Sequence, residues 1–325
     1  MKPSIVVLDA YTTSPLTVDQ SDSAHPSWKP LSELGSVTLY PRTKPEEILE
    51  RASETSILLT NKVVLHKEIL QQLPNLRYIG LMSTGTNAVD LEAARELGIT
   101  VSNVPSYSTP TVAQHAIALL LELATKLSAQ AELSRSGKWS NQPDFSITAG
   151  PIIELADKNF GIVGCGDIAQ ATARIAAALG MNILVHSRSK KKTDFACEWL
   201  EKEEFLHRAD VISLHCPLTT ETEKWIDSEA LESMKDGAFL LNTGRGPLID
   251  EDAVAEALQS GKLGGYGADV TSTEPPSIDN PLLKAPRTAI TPHVAWASTE
   301  ARTRLMATLA SNISAFLAER PQNTV

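Results

Sequence analysis

The stretch "GIVGCGDIAQATARIAAALG", residues 161–180, constrains the fold of this chain more than any other feature. An apolar run leads into Gly164 and Gly166, and a helical pattern of small residues follows, in the spacing of the GxGxxG/A fingerprint. Gly164 allows a tight turn, Gly166 leaves room for a pyrophosphate, and Ala169 permits close packing of helix on strand. The helix N-terminus offers N–H groups and a favourable dipole to phosphates. The stretch therefore predicts a dinucleotide-binding β-α unit rather than a plain glycine turn.

Short apolar runs alternate with helical patterns over the whole chain, which predicts an α/β fold with parallel sheets covered on both faces. The first third contains five strand candidates, "IVVLD", "SVTLY", "ILLT", "YIGLM" and "ITVSN". A second series contains six, "NFGIVG", "NILVH", "DVISLH", "AFLLNT", "GYGADV" and "TAIT". A chain of 325 residues exceeds what one hydrophobic core usually organises. We therefore expect two Rossmann-like, doubly wound parallel-sheet domains.

Two proline-bearing segments, "NVPSYSTP" and "TPHVAWAS", mark the expected crossings between the domains. They predict one domain of residues 1–107 plus 298–325 and a dinucleotide-binding domain of residues 108–297. The helical pattern from Thr109 to Leu127 is apolar almost throughout, so we expect a helix buried on most sides that bridges the domains or packs on a second subunit. Its His115 is expected to be a core or interface residue.

Composition excludes several classes of partner. A formal net charge of −10 argues against a nucleic-acid binder, because phosphate contacts need a basic surface. No stretch is long and apolar enough to cross a bilayer. Cys165, Cys197 and Cys216 occur singly, without the CxxC spacing of a zinc site, which favours a reducing compartment and no bound metal. We expect a cytoplasmic protein that acts on a small molecule.

The stretch "ILVHSRSKKK", residues 183–192, bears on the choice of cofactor. It ends the strand where NAD-binding domains carry an acid against the adenosine ribose, and that acid is missing. Ser187 and Arg188 would instead accept the 2′-phosphate of NADP through a hydroxyl and a guanidinium. Lys190 and Lys191 add positive potential, or else belong to a solvated loop. The stretch predicts that NADP(H) is favoured, with NAD(H) still possible.

Three motifs follow apolar strands later in the chain: "NTGRGPLID" around Arg245, "DVTSTEPP" around Glu274 and "TPHVAW" around His293. Reduction of a 2-keto acid needs a cation for the carboxylate, a proton donor for the carbonyl oxygen and a hydride source. Arg245 can hold the carboxylate bidentately. His293 can supply the proton, and Glu274 can orient the imidazole and favour its protonated form. Taken singly, each residue also has a structural reading, as a loop ion pair, a surface acid or a core histidine.

The chain resembles the D-isomer-specific 2-hydroxyacid dehydrogenases over nearly its whole length, in the motifs "GIVGCGDIAQ", "LHCPLT", "LLNTGRGPLIDEDAVAEAL", "GADVTSTEPP", "NPLL" and "TPHVAWAS". The resemblance implies an NAD(P)-dependent oxidoreductase with Arg245, Glu274 and His293 as catalytic residues. It implies that residues 1–107 plus 298–325 form a flavodoxin-like substrate domain, in which Thr84 and Gly85 present backbone N–H groups to the substrate carboxylate. It also implies an active site in the cleft between the two domains and a homodimer built through the nucleotide-binding domains.

The resemblance further implies a set of cofactor contacts, in which Asp269 lies near the nicotinamide carboxamide and His215 to Pro217 form a wall beside the adenosine. The full set is Gly164, Gly166, Asp167, Ile168, Ser187, Arg188, Ser189, His215, Cys216, Pro217, Thr222, Thr243, Gly244, Asp269 and Ala295. Two residues depart from the family pattern. Ser187 replaces the ribose acid of NAD-using members, and Gly244 precedes the arginine where Ser or Ala is usual, which would loosen that turn.

Within the family, "YSTPTVAQHAIALLLEL", "GKWSNQPDF" and "PIIELADKNFGIVG" are most similar to glycerate dehydrogenase, also called hydroxypyruvate reductase. That similarity implies reduction of hydroxypyruvate or glyoxylate to D-glycerate or glycolate. Glu274 argues against formate dehydrogenases, where a Gln is expected, and the end of the chain at residue 325 argues against a multidomain phosphoglycerate dehydrogenase. The alternatives are an NAD-dependent D-2-hydroxyacid or phosphoglycerate dehydrogenase and a non-catalytic, dinucleotide-sensing corepressor.

Overall fold

The computed structural model describes residues 3–13 and 27–325. Apolar runs form its strands, as short β-rich segments bounded by turn residues are expected to do. The strands are β1 (Ser4–Val7), β2 (Ser36–Leu39), β3 (Ile57–Thr60), β4 (Tyr78–Leu81), β5 (Thr100–Ser102), β6 (Asn159–Val163), β7 (Asn182–His186), β8 (Glu198–Trp199), β9 (Val211–Leu214), β10 (Ala238–Asn242), β11 (Leu263–Ala268) and β12 (Thr288–Ile290).

Helices alternate with these strands, and several begin at a capping side chain. Asp90, Asp227, Asp250 and Ser298 each accept a hydrogen bond from the backbone N–H three residues later, which pairs a group that a helix start otherwise leaves unpaired. The α-helices are α1 (Lys29–Leu34), α2 (Ile48–Ala52), α3 (Lys67–Leu70), α4 (Leu91–Glu96), α5 (Thr109–Thr125), α6 (Leu127–Arg135), α7 (Asp167–Ala178), α8 (Lys202–Arg208), α9 (Ser228–Ser233), α10 (Glu251–Ser260), α11 (Pro281–Lys284) and α12 (Thr299–Leu317). Short 3-10 turns are Ala10–Thr13, Pro45–Glu47 and Gly246–Leu248.

One compact unit comprises Met1–Ser108 and Trp296–Val325. Its five-stranded sheet has the order β2-β1-β3-β4-β5, with every pairing parallel. Alternate residues of β1 enter different apolar clusters, because side chains of a strand point to opposite faces. Val6 packs with α2, α3 and α4, whereas Ile5 and Val7 pack with α1 and α12. Helices therefore cover both faces of this sheet.

The second unit, Thr109–Ala295, contains a seven-stranded parallel sheet in the order β12-β11-β10-β9-β6-β7-β8. One face carries α5 and α7, and the other carries α8, α9, α10 and α11. The strand order reverses between β6 and β9, which are neighbours in the sheet although two strands separate them in sequence. Ligands of open α/β sheets bind beyond the carboxyl ends of the strands at such a point.

The predicted α/β class with two parallel-sheet domains is confirmed, and every predicted strand is present. The second sheet has seven strands rather than the six expected. The additional strand, β8, has two residues at the edge of the sheet and includes the charged Glu198, so it leaves no apolar run to detect. The first unit extends to Ser108, one residue past the expected boundary at 107, and resumes at Trp296, two residues before the expected boundary at 298. Trp296 packs with the apolar cluster that contains α12.

The helix expected from Thr109 to Leu127 ends at Thr125, because Lys126 adopts a left-handed backbone (φ 53°) before α6 begins. Its burial is also less complete than expected, since Gln114, Ala118 and Leu121 are exposed along one side. Within the described residues, no helix combines the length and apolar character that a membrane crossing requires.

Candidate active site

The glycine fingerprint forms a tight turn between β6 and α7. Gly164 has a φ of 88°, and a Cβ at this position would come within 3.0 Å of the backbone nitrogen of Cys216. A Cβ on Gly166 would meet nothing within 4 Å, so the space in front of the N-terminus of α7 is open. Ala169 is fully buried against the sheet. Each position therefore has the surroundings that a phosphate-binding turn needs.

A cavity of about 260 Å³ lies at the carboxyl ends of β6, β7 and β9. Its lining includes nine of the residues expected to bind the cofactor, namely Gly164, Gly166, Ser187, Arg188, Ser189, His215, Cys216, Pro217 and Thr222. The remaining members of that set are not among the lining residues, namely Asp167, Ile168, Thr243, Gly244, Asp269 and Ala295. The lining also includes Thr219, the last residue of the motif "LHCPLT", and Trp225, which belongs to no motif that the sequence singles out.

The basic residues after β7 differ in their surroundings. Lys191 lines the cavity, whereas Lys190 does not. Arg188 Nη1 lies 3.5 Å from Glu221 Oε2, and both side chains are exposed. An exposed ion pair of this kind is weak, so Arg188 can readily leave Glu221 for another anionic partner. The Arg188 guanidinium is therefore available to an anion that enters the cavity.

His215 forms an uncharged part of the cavity wall. Its Nε2 lies 2.9 Å from Ser213 Oγ, and burial lowers its pKa to about 4. The adjoining loop is held by Thr222 Oγ1, which donates to the carbonyl of Pro217 at 2.6 Å and accepts from the backbone N–H of Thr219 at 2.8 Å. The wall beside the glycine turn is thus rigid and carries no histidine charge at neutral pH.

His293 and Glu274 form the central pair of the site. His293 Nδ1 lies 2.6 Å from Glu274 Oε2, and each side chain is about one-third exposed. The other oxygen, Oε1, accepts from the backbone N–H of Thr271 at 3.3 Å. Because Glu274 engages Nδ1, the carboxylate sets the orientation and the tautomer of the imidazole. This is the arrangement of an oriented acid–base histidine.

Arg245 follows β10 on a turn that a buried amide holds. Asn242 Nδ2 donates to the carbonyl of Arg245 at 2.8 Å, and Asn242 Oδ1 accepts from Gly244 N at 3.1 Å. Gly244 has room for a Cβ, whose nearest neighbours would lie at 3.4 Å, so a glycine is not required there. The Asn242 amide bridges both ends of this turn, and the loosening expected of Gly244 stays a prediction. The guanidinium is exposed, and its Nη1 donates to the Gly244 carbonyl at 2.8 Å.

Gly246 brings the arginine turn against the loop of Glu274. A Cβ on Gly246 would lie 2.0 Å from the carbonyl carbon of Thr271, so the two backbones are in direct contact. Thr271 in turn binds Glu274, and Glu274 binds His293. The structure therefore brings the loops of Arg245, Glu274 and His293 together, although 48 positions separate the first and the last along the chain.

A buried carboxylate clamps the segment that carries His293. Asp269 Oδ1 accepts from Val294 N at 2.9 Å and from Thr291 Oγ1 at 2.6 Å, and Oδ2 accepts from Ala295 N at 2.7 Å. Asp269 is 1% exposed. The sequence missed this clamp, because the motif gives the residue types but not which backbone N–H groups the carboxylate reaches.

Thr84 and Gly85 lie in the other unit, after β4. Thr84 Oγ1 donates to the Val104 carbonyl at 2.9 Å, and Asn103 Nδ2 donates to the Thr84 carbonyl at 2.7 Å. Ser83 Oγ donates to the Gly85 carbonyl at 2.7 Å. None of these bonds uses the backbone N–H groups of Thr84 or Gly85, and together they fix the orientation of the loop.

The second unit is suited to a dinucleotide. Thr243 Oγ1 is buried without a hydrogen-bond partner among the described residues, which is costly unless a ligand or water satisfies it. The open space at Gly166 and the cavity that follows it offer room and N–H donors for phosphates.

Residues 117–295 match the family model described as "D-isomer specific 2-hydroxyacid dehydrogenase, NAD binding domain". The chain belongs to the D-isomer specific 2-hydroxyacid dehydrogenase family. A "Hydroxypyruvate reductase" of Blautia hydrogenotrophica is 43% identical to it, over 99% of each chain. A "Glycerate dehydrogenase" of Methylorubrum extorquens is 40% identical, over 86% of this chain and 88% of the relative. The solved structure of an acyclic imino acid reductase in complex with NADPH and D-Arg has a TM-score of 0.85 at 31% identity, over 99% of each chain.

Membership of this family confirms the resemblance read from the sequence. The chain is therefore an oxidoreductase whose cofactor is a nicotinamide dinucleotide. The open turn between β6 and α7 agrees with that cofactor class. So does the buried Thr243 hydroxyl, which has no hydrogen-bond partner among the described residues.

Proposed function

We propose that the protein reduces a small 2-keto acid, hydroxypyruvate or glyoxylate, to D-glycerate or glycolate, with NADPH favoured over NADH. The observation that carries the proposal is the 2.6 Å pair of His293 Nδ1 and Glu274 Oε2, on a loop in contact with that of Arg245. Similarity to relatives named for hydroxypyruvate reduction and glycerate dehydrogenation supports this choice of substrates.

His293 is the proton donor in this proposal, and it acts through Nε2. Glu274 binds Nδ1, fixes the ring tautomer and stabilises the charge of the imidazolium before the proton leaves. The proton is transferred to the oxygen of the keto group as that oxygen becomes the hydroxyl. The nicotinamide cofactor, when bound, supplies the hydride.

Arg245 binds the substrate carboxylate, since its exposed guanidinium can engage two oxygens at once. The proposal assigns the backbone N–H groups of Thr84 and Gly85 to the same carboxylate. It assigns Asp269 and Ala295 to the nicotinamide end of the cofactor, together with Thr243, whose buried hydroxyl has an unused donor. Gly164, Gly166, Asp167 and Ile168 would hold the pyrophosphate at the start of α7.

The proposed preference for NADPH depends on the residues after β7. Ser187, Arg188, Ser189 and Lys191 line the cavity, and no carboxylate is among the described residues of its lining. A 2′-phosphate would take Arg188 from its exposed partner Glu221, because a dianion attracts the guanidinium more strongly than one carboxylate does. The similar acyclic imino acid reductase, which was solved in complex with NADPH, supports the same choice.

The deciding experiment measures kcat/KM for hydroxypyruvate and glyoxylate with NADPH and NADH, by the loss of nicotinamide absorbance. The parent chain should use both acids and prefer NADPH, and Ser187→Asp should raise the KM for NADPH about tenfold by charge repulsion while lowering that for NADH. A parent chain that prefers NADH would refute the cofactor assignment. Absence of turnover with every short 2-keto acid would refute the enzyme, and cofactor binding without turnover would favour a dinucleotide-sensing protein.

We also propose a homodimer formed through the second unit and a cytoplasmic location. The stretch after α5 exposes several large apolar side chains, Leu127, Trp139, Phe145 and Ile152, and such clusters are typical of interfaces. Phe145→Asp should convert a dimer to a monomer in sedimentation velocity. Ile278→Asp, at another highly exposed position elsewhere in the unit, should leave the dimer intact. A monomeric parent chain would overturn this proposal.

A further inference from the structure

His115 lies on α5 and reaches the segment that carries His293. Its Nε2 is 2.8 Å from Thr291 Oγ1 and 3.7 Å from Asp269 Oδ1. Its side chain is 23% exposed, and α5 packs against the strands that end at Asn242, Ala268 and Ile290. The bond joins residues 176 positions apart in the sequence, so it links α5 directly to the residue that follows β12.

The geometry assigns the direction of each hydrogen bond. Thr291 has one hydroxyl proton, and the 2.6 Å distance to Asp269 Oδ1 is shorter than the 3.2 Å distance to the Ala268 carbonyl. A carboxylate is also the stronger acceptor, so the proton lies toward Asp269. The hydroxyl oxygen then accepts from His115, which places a proton on Nε2 of that ring. The three side chains form one donor chain that ends on the carboxylate.

That carboxylate holds a strained segment. His293 has a φ of 55°, a left-handed conformation that is unfavourable for a residue with a Cβ. Asp269 holds both sides of it, through Thr291 Oγ1 before the histidine and through the N–H groups of Val294 and Ala295 after it. A conformation of this kind persists only where its surroundings fix it.

We propose that His115 is a positioning residue for His293, acting through Thr291 and Asp269. It anchors the hydroxyl of Thr291 to helix α5, so that the Asp269 carboxylate keeps its orientation and the His293 ring stays against Glu274. This inference deepens the proposed function, since it adds a further residue on which the proton donor depends. His115 itself makes no contact with the reacting groups in this scheme.

The kinetic test compares His115→Phe and Thr291→Val, which each remove one member of the donor chain. Both should lower kcat about tenfold, because a small displacement of the proton donor slows the chemical step. The dissociation constant of NADPH, measured by fluorescence, should stay within about twofold, since the carboxylate keeps its two backbone bonds. The double variant should be no slower than the worse single one, because both changes break the same chain.

Two controls separate positioning from packing. His115→Gln can place an amide N–H near the position of Nε2, and it should keep kcat within about threefold of the parent chain. Thr288→Val makes the same substitution three residues earlier, where the hydroxyl donates to the Ala285 carbonyl, and it should leave kcat unchanged. If kcat falls in the Gln variant together with the thermal midpoint, the role of His115 is packing and the proposal is wrong.

A readout on the cofactor-free protein makes the test independent of turnover. The His293 ring proton on Nδ1, bonded to Glu274 at 2.6 Å, should give a downfield proton NMR signal, assigned by its loss in His293→Gln. It should broaden or vanish in His115→Phe and Thr291→Val and persist in His115→Gln and Thr288→Val. An unchanged signal in the first two variants overturns the proposal. A parent chain without turnover would refute the proposed function, while this signal still decides the role of His115.

Discussion

The contact of Gly246 with Thr271 predicts that Gly246→Ala lowers both the stability and the activity of the protein. A Cβ at this position would lie 2.0 Å from the Thr271 carbonyl carbon, 2.2 Å from its oxygen and 2.3 Å from the nitrogen of Ser272. All three are backbone atoms, so no side-chain rotation can relieve the overlap. The arginine turn and the loop of Glu274 must separate by well over an ångström before an alanine fits.

The cost should appear in both stability and activity. Forcing extra volume into a packed site costs about 1–3 kcal/mol, and a backbone overlap this deep places Gly246→Ala at about 3 kcal/mol. A displacement of about 1 Å between catalytic groups can lower the rate about 100-fold, so kcat/KM should fall by that factor. Gly244→Ala, two residues earlier, meets its nearest atoms only at 3.4 Å and should be neutral, or stabilising by about 0.5 kcal/mol through the unfolded chain.

The measurement is urea unfolding of the parent chain and both variants, followed by steady-state kinetics with hydroxypyruvate. The Gly246 variant should show a lower unfolding midpoint with an unchanged slope against denaturant, as a change in stability alone requires. The Gly244 variant is the matched control, since it adds the same methyl group to the same turn. Equal stability and equal activity of the two variants would refute the contact on which the site depends.

Three further predictions concern single side chains. Glu274→Gln should lower kcat about 100-fold or more, because a neutral amide no longer stabilises the imidazolium of His293; an unchanged kcat would exclude their pairing. Glu221→Gln should lower the KM for NADPH several-fold and leave that for NADH nearly unchanged, since Arg188 then loses its carboxylate; equal effects on both cofactors would contradict this. Burial of His215 lowers its pKa from 6.5 to about 4, so only the unfolded chain binds a proton between those values. The free energy of unfolding should therefore decrease by up to about 3 kcal/mol as pH falls from 6.5 to 4, and His215→Gln should decrease less over the same range.

The fold could be predicted from the sequence because the patterns that indicate its strands and helices are local. Apolar runs that alternate with amphipathic helices identify every strand of the first sheet and six strands of the second. β8 was not predicted, because this two-residue edge strand is defined by its pairing with β7 and not by an apolar pattern of its own. The end of α5 was also misplaced, because the left-handed turn at Lys126 interrupts an apolar pattern that continues through Leu127.

Only part of the candidate site could be predicted from the sequence. The motifs around Arg245, Glu274 and His293 identify the types of group needed for reduction of a keto acid. They contain Asn242 but did not indicate that its amide holds the arginine turn. Its bonds reach only two and three residues along the chain, as those of Asn side chains in turns often do, but the residue type alone does not say which backbone groups the amide will contact.

The sequence by itself determined the alternating architecture, the dinucleotide cradle and the chemical types of the catalytic groups, since each depends on residues close together in the chain. Tertiary structure alone decided which of those groups meet. The clamp of Asp269 on the His293 segment joins positions about 25 residues apart, and the bond from His115 to Thr291 joins positions 176 apart. Such pairs depend on how the strands order themselves in the sheet and on how α5 packs against it, and no local stretch of residues encodes either.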